Sequence, residues 1–320
     1  MDFAQDISIP RLLLARRSVL LLLGAGACNL KAQTIAVTSI DLFPPFFQFW
    51  KESNGLTQNA RAERFLAMVI QPHLDLFEGF TGPISAERAT RYLSQVEPLV
   101  PSIDALHSWV TKEFDKKTAA FQKELPDFQW RGSVVFMPNL FVFNAGGGSI
   151  AGKDFLVFGL DTIARIDGPY ADLSVLITHE LFHVYHGSLH PEWGGQSRGN
   201  NIPLYRLVWG EGLATYASQQ LNPQADVATI LGSPTLASSC ESRLKPLARL
   251  VVENLDASEK TPFMEWMSGQ VRSSDVPVRA GYYFGWRVAT ALGRQRSLGV
   301  LARLPDDEVR NAMAQELQRI

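Results

Sequence analysis

The chain has very little cysteine: Cys28 and Cys240 are the only two in 320 residues. A disulfide framework is therefore excluded, and a protein of this length must be held by its core. Charge is also sparse, at 19% of residues with a net of -2, and the basic residues are scattered. Nothing resembles the Lys/Arg cluster that would follow a nucleic-acid backbone or an anionic membrane surface. What the chain has in quantity is apolar residues, 46% of the total, enough to exclude disorder and to fill the core of one or at most two globular domains.

The amino terminus departs from this even composition. Arg16 and Arg17 stand directly before a short apolar run that ends in small residues, L-A-R-R-S-V-L-L-L-L-G-A-G-A-C-N, the pattern of an export signal. The ten residues from Val19 to Cys28 are too few to span a bilayer. The paired arginines resemble a twin-arginine signal, although Ala15 stands where Ser or Thr is usual, and cleavage after Ala27 would make Cys28 a candidate lipid anchor. Cleavage near Ala32 is the alternative, so residues 1–32 are assigned to export and the protein to the periplasm, the cell envelope or the exterior. Cys240 then has no partner within the chain and reads as a small semi-buried residue in preference to a reactive thiol.

Three further regions follow. An aromatic-rich start, A-V-T-S-I-D-L-F-P-P-F-F-Q-F-W, leads into helical periodicity from Asn59 to Glu78 and from Ser85 to Leu125, broken at Gly79 to Pro83 and around Pro98 and Pro101. Residues 33–125 thus form a helical region that completes the core or walls a cleft. Next, G-S-V-V-F-M-P-N-L-F-V-F and D-F-L-V-F-G-L-D read as strands, rich in Val, Phe and Leu and bounded by glycine. A histidine-bearing helix, a Gly/Asn/Pro-rich loop from about Gly187 to Asn201 and a largely helical tail complete the chain, giving a mixed α+β fold in which residues 126–320 carry the chemistry. Between the strands, G-G-S-I-A-G-K-D nearly matches a P-loop, but Asp154 occupies the Ser/Thr position and a strand follows where a helix is needed, so a glycine-rich hairpin loop is the better reading.

Four of the six histidines lie within T-H-E-L-F-H-V-Y-H-G-S-L-H, residues 178–190. The surrounding pattern is that of a buried helix with Gly187 placed to end it. At about 100° per residue, His179 and His183 fall about 40° apart on one face, so that two imidazoles can chelate one ion, while Glu180 flanks that face within reach of a bound water. This is H-E-x-x-H, two nitrogen ligands and a general base. Core histidines with hydrogen bonds are the competing explanation, although two His and a Glu in so apolar a helix would be costly without partners.

A third ligand has two candidate sources. One is local: His186 shares the face but sits at the helix end, and H-E-x-x-H-x-x-G-x-x-H would need Gly and His where His186 and Leu189 stand; His190 is a further alternative. The other is Glu211, in the middle of a helical segment between Pro203 and Asn222-Pro223 and on the same face as Leu204, Val208, Ala214, Thr215 and Ser218. A carboxylate on so apolar a face needs a cation, and Gly210, Gly212 and Ala214 would let this helix approach the histidine helix closely.

Together, His179-Glu180-Leu181-Phe182-His183 and Trp209-Gly210-Glu211-Gly212-Leu213-Ala214-Thr215-Tyr216 resemble the paired motifs of the gluzincins, a branch of the zincin metallopeptidases that includes thermolysin-like enzymes. The resemblance covers roughly residues 130–290. It implies a zincin-like fold with a small mixed sheet, Zn2+ held by His179, His183 and Glu211, Glu180 as the base, and D-F-L-V-F-G-L-D as the edge strand along which a peptide lies. Thr215 stands where thermolysin-like enzymes carry an Asp that orients a histidine; Asp172 is expected to cap its own helix.

Zinc held by two His and one Glu leaves a position for water and lowers its pKa to about 7. Glu180 would take that proton and pass it to the leaving amine. A second oxyanion donor could come from His186 or from R-A-G-Y-Y-F-G-W-R, where Tyr282 is preferred to Tyr283. The expectation is an exported zinc metallopeptidase; a non-catalytic envelope module of the same fold, or a zinc hydrolase of non-peptide amides or esters, are the alternatives.

Overall fold

The computed structural model describes residues 37–166, 172–194, 202–258, 264–268 and 275–320. The export-signal reading of residues 1–32, with Arg16, Arg17 and Cys28, lies outside these residues, as do residues 195–201 of the loop expected from about Gly187 to Asn201; of its remainder, residues 187–189 and 191–194 are helical instead.

The fold is mostly helical with a small mixed sheet. Four strands, β1 (Thr38–Asp41), β2 (Ser133–Met137), β3 (Ala145–Ile150) and β4 (Lys153–Gly159), lie in the order β1-β2-β4-β3. β1, β2 and β4 run parallel, and β3 is antiparallel to β4. Burial along Val134, Val135, Phe136 and Met137 is continuous, as expected for an inner strand covered on both faces.

This order corrects the expectation for D-F-L-V-F-G-L-D. That segment supplies β4, an interior strand between β2 and β3; the edge beside the histidine helix belongs to β3, built from A-G-G-G-S-I. The glycine-rich segment is a hairpin, but its glycines lie in the strand, and the turn is the pair Ala151 and Gly152, both with positive φ as a two-residue I′ turn requires. The upstream strand also stops early, at Met137. Leu140 and Phe141 both adopt left-handed φ values there, 59° and 62°. The buried Asp161 carboxylate holds them by accepting the Asn139 and Phe141 backbone N–H groups at 3.0 and 3.3 Å.

Helices α1 (Phe43–Glu52), α2 (Gln58–Phe65), α3 (Leu74–Thr81), α4 (Ala86–Val96) and α5 (Val100–Glu124) precede β2. α1 buries Phe43, Phe46 and Phe49, spaced three apart on one face, in the same core that holds β2 and β4. The break expected over Gly79 to Pro83 falls at its far end, at Gly82: α3 continues through Gly79 to Thr81, because the missing side chain admits Ile150 of β3. α5 packs on α6 (Leu160–Ile166) and on α7 (Leu173–Leu189). Residues 37–125 therefore share the core and the sheet with the remainder of the chain.

After α7 come α8 (Pro191–Gly194), α9 (Leu204–Leu221), α10 (Val227–Leu231), α11 (Leu236–Glu241), α12 (Leu244–Glu253), α13 (Ala280–Leu292), α14 (Leu298–Leu301) and α15 (Asp306–Gln318). α9 is the centre of this half and packs against both α7 and α13. No described helix is long and apolar enough to cross a membrane. Cys240 is fully buried, and burial pushes its thiol up to about 12, with the Glu241 charge acting in the same direction, so the unreactive reading is the one its environment supports.

Candidate metal centre

α7 begins where Asp172 accepts hydrogen bonds from the Ser174 and Val175 N–H groups at 2.8 and 3.2 Å, as expected for a cap. It does not end at Gly187 but continues to Leu189. The register of α9 against it is fixed by side chains that sequence reasoning missed. Asn222, at the end of α9, is hydrogen-bonded to Ser174 and donates to the Thr178 hydroxyl at 3.2 Å, and the Ser218 hydroxyl donates to the Val175 carbonyl at 3.2 Å. All of these groups are buried, so each bond is made away from competing water. An Asn after an apolar helix reads as an ordinary stop signal, and nothing in the sequence shows that its amide bridges to another helix.

This register sets Glu211 opposite the histidine pair. The His179 and His183 Nε2 atoms are 3.0 Å apart, and Glu211 Oε2 lies 3.1 Å from the first and 3.2 Å from the second. Among the described residues these three form a group that could hold a metal ion. Donors around a tetrahedral ion with bonds of ~2.0–2.1 Å stand about 3.3 Å apart, so the observed triangle is close to the required size. Two imidazole nitrogens and a carboxylate are also the donor types that a borderline cation takes. His186 and His190 do not join the group. The His186 ring stacks on Phe182 and meets His190 and Trp193, its Nε2 is buried without a hydrogen-bond partner among the described residues, and burial, with the charges of His190 and His183, pushes its pKa down to about 3. His190 Nε2 faces the Ala302 carbonyl at 2.9 Å.

Compared with protein-family models, with curated proteins and with solved structures, the chain matches none. The chemistry of the centre therefore has to be read from its own residues.

Burial opposes charge on Glu211, yet the charges and hydrogen bonds of His183 and His179 outweigh it and hold the carboxyl well below the usual range. The reverse balance acts on His183: burial disfavours its charge, but Glu211 and then Glu180 raise it to about 9. Glu180 is partly exposed beside the triangle, and burial raises its pKa despite the nearby histidines. A carboxylate raised toward neutrality is a better proton acceptor than an ordinary one.

α13 supplies the next group. The Tyr282 ring stacks on His179 with centroids 6.3 Å apart and planes 15° from parallel, and its phenol faces both Glu211 and Glu180. Burial first, and the Glu211 charge next, raise its pKa, so the hydroxyl remains a proton donor. Tyr283 turns away: its hydroxyl donates to Glu241 at 3.3 Å and accepts from Arg287 at 2.9 Å. Thr215 is buried and donates to the Glu211 backbone carbonyl at 2.7 Å, so its hydroxyl is engaged with its own helix.

The glycines beside Glu211 also work differently from the expectation. Gly210 has open space around it, and Gly212 faces α13, not α7. A Cβ on Gly212 would lie 2.0 Å from the Gly285 carbonyl carbon, and one on Gly285 would lie 2.0 Å from the Val208 oxygen. This backbone contact brings α13, and with it Tyr282, against the centre.

Proposed function

We propose that the chain is an exported zinc-dependent metallopeptidase with a zincin-like fold and a gluzincin type of active site. The observation that carries the reading is the convergence of His179, His183 and Glu211 on one ion-sized position, with Glu180 on the adjoining helical turn. The donor set suits Zn2+, which when bound supplies a Lewis acid that acidifies water and polarises a carbonyl.

The protein's own groups account for the rest. Glu180, with its raised affinity for a proton, takes one from the attacking water and passes it to the leaving amine. Tyr282, kept protonated, donates to the oxygen on which negative charge develops. Glu211 stays ionised, and its negative charge favours a cation beside the two imidazoles. A peptide is the substrate favoured by β3, the strand at the α7 side of the described sheet, whose run Gly146, Gly147 and Gly148 carries no side chains that an extended segment would have to pass. Export rests on the segment before residue 33, and the protein would act in the periplasm, the envelope or outside the cell.

The test combines elemental analysis with a peptidase screen. About one zinc per chain in the parent and in Glu180→Gln, lost in His183→Ala and in Glu211→Ala, together with peptide cleavage lost in Glu180→Gln, is the expected result. A parent without zinc after supplementation sinks the reading. Zinc without turnover of any peptide would point to a binding module, and turnover confined to non-peptide amides or esters would reassign the substrate.

A further inference from the structure

Arg279 stands immediately before α13 and has two unusual properties. Its backbone is left-handed at φ 61°, a conformation that few non-glycine residues adopt and that local structure must hold in place. Its guanidinium lies 4.2 Å from the Tyr282 ring centroid, the same ring that stacks on His179. Among the described residues it makes no ion pair and no side-chain hydrogen bond, whereas six of the ten described arginines from Arg206 onward, Arg206, Arg243, Arg296, Arg303, Arg310 and Arg319, are each paired with a carboxylate. Its Nη1 passes close to Gly232, which has no side chain to crowd it.

A partly buried guanidinium fixed on an aromatic face, with its five donors uncommitted among the described residues, is arranged to receive a carboxylate in a bidentate pair. The ring spacings place it within about three extended residues, ~10 Å, of the His179 imidazole. We propose that Arg279 is the specificity-determining residue of this site and selects substrates with a carboxylate one or two residues beyond the bond to be cut, either the free terminus of a short peptide or an acidic side chain. This inference rests on the peptidase reading for the identity of the bond, but the preference for a carboxylate is measured as binding.

The test uses the full protein carrying Glu180→Gln, loaded with zinc, and calorimetric titration with three probes: benzoyl-Gly-Phe, its C-terminal amide, and benzoyl-Gly-Glu-amide. The expected result is that a carboxylate-bearing probe binds at least about tenfold more tightly than the neutral amide, and that adding Arg279→Gln removes this difference while leaving the amide unchanged. Arg279→Lys should restore part of the preference, and Tyr282→Phe, which keeps the ring, should preserve it. Tighter binding of benzoyl-Gly-Phe marks a terminal carboxylate as the target; tighter binding of benzoyl-Gly-Glu-amide marks an acidic side chain. Equal affinity for all three probes, no binding of any, or an equal loss on acid and amide in Arg279→Gln overturns the inference, the last by showing that Arg279 only holds Tyr282 in place. Zinc content and turnover of the unmodified protein judge the peptidase reading separately.

Discussion

Gly212 of α9 and Gly285 of α13 meet backbone to backbone, so closely that a methyl group on either would overlap the other helix. Gly212 adjoins Glu211, and Gly285 lies three residues after Tyr282, so this contact sets the distance between the carboxylate and the phenol.

Gly285→Ala should therefore destabilise the protein by about 1–3 kcal/mol, the range for forced overpacking. Gly210→Ala, in open space on the same helix as Gly212, should be neutral or stabilising by up to ~1 kcal/mol because alanine is the better helix former. Urea denaturation of the two variants checks the contrast. Equal effects would mean that the helices do not approach as closely as described.

Tyr282→Phe removes the hydroxyl and keeps the ring on His179. On the proposed mechanism kcat should fall about 10²-fold with little change in KM or in bound zinc, the signature of a donor used in the transition state. Tyr283→Phe should leave kcat unchanged, since its hydroxyl is engaged with Glu241 and Arg287. Steady-state kinetics on one peptide distinguishes the two.

Asp161 is fully buried, and burial raises its pKa from 3.8 to about 6 in spite of the backbone N–H groups it accepts. A pKa raised on folding gives stability that is complete below the unfolded value and is lost as pH rises through the folded one. Relative to Asp161→Asn, the parent should thus lose stability between about pH 4 and pH 7, by ~3 kcal/mol over the window. Paired urea melts at pH 4, 5.5 and 7 measure it; a constant difference between parent and variant would contradict the assignment.

Thr215→Val should leave zinc affinity within about twofold of the parent, because the hydroxyl is bonded to its own helix. A tenfold loss, measured by chelator competition, would restore Thr215 to a role in orienting a histidine.

The helix-borne part of the centre was legible in the sequence because it depends on local periodicity. Spacing alone places His179 and His183 on one face, and Glu211 on a face whose other members are buried. Contacts between distant segments were not legible. The sequence shows that glycines flank Glu211 but not which helix they admit, and Gly212 turned out to serve α13. Two Val/Phe-rich runs read alike as strands, yet the second half of one is a left-handed loop, because a buried carboxylate 20 residues later captures the Phe141 N–H. Strand order escaped for the same reason: A-G-G-G-S-I has low strand propensity, and only its pairing with β4 makes it the edge. Arg279 has no sequence signature, since its significance lies in a backbone angle and in the absence of a carboxylate partner among the described residues.

The proposed ligands and base all lie on α7 and α9, whereas the phenol lies on α13, which ends at Leu292, and the guanidinium stands immediately before that helix. Read as a timetable of synthesis, the chain makes its metal cradle and its base first, and the hydroxyl and guanidinium that would complete turnover and selection much later. On the proposed function, a nascent chain that has emerged only as far as α9 could acquire its ion while still lacking the hydroxyl and the substrate clamp. Full hydrolytic power would thus arrive late in the chain's emergence, which limits the period in which an unfinished protease could attack its neighbours or itself at its full rate.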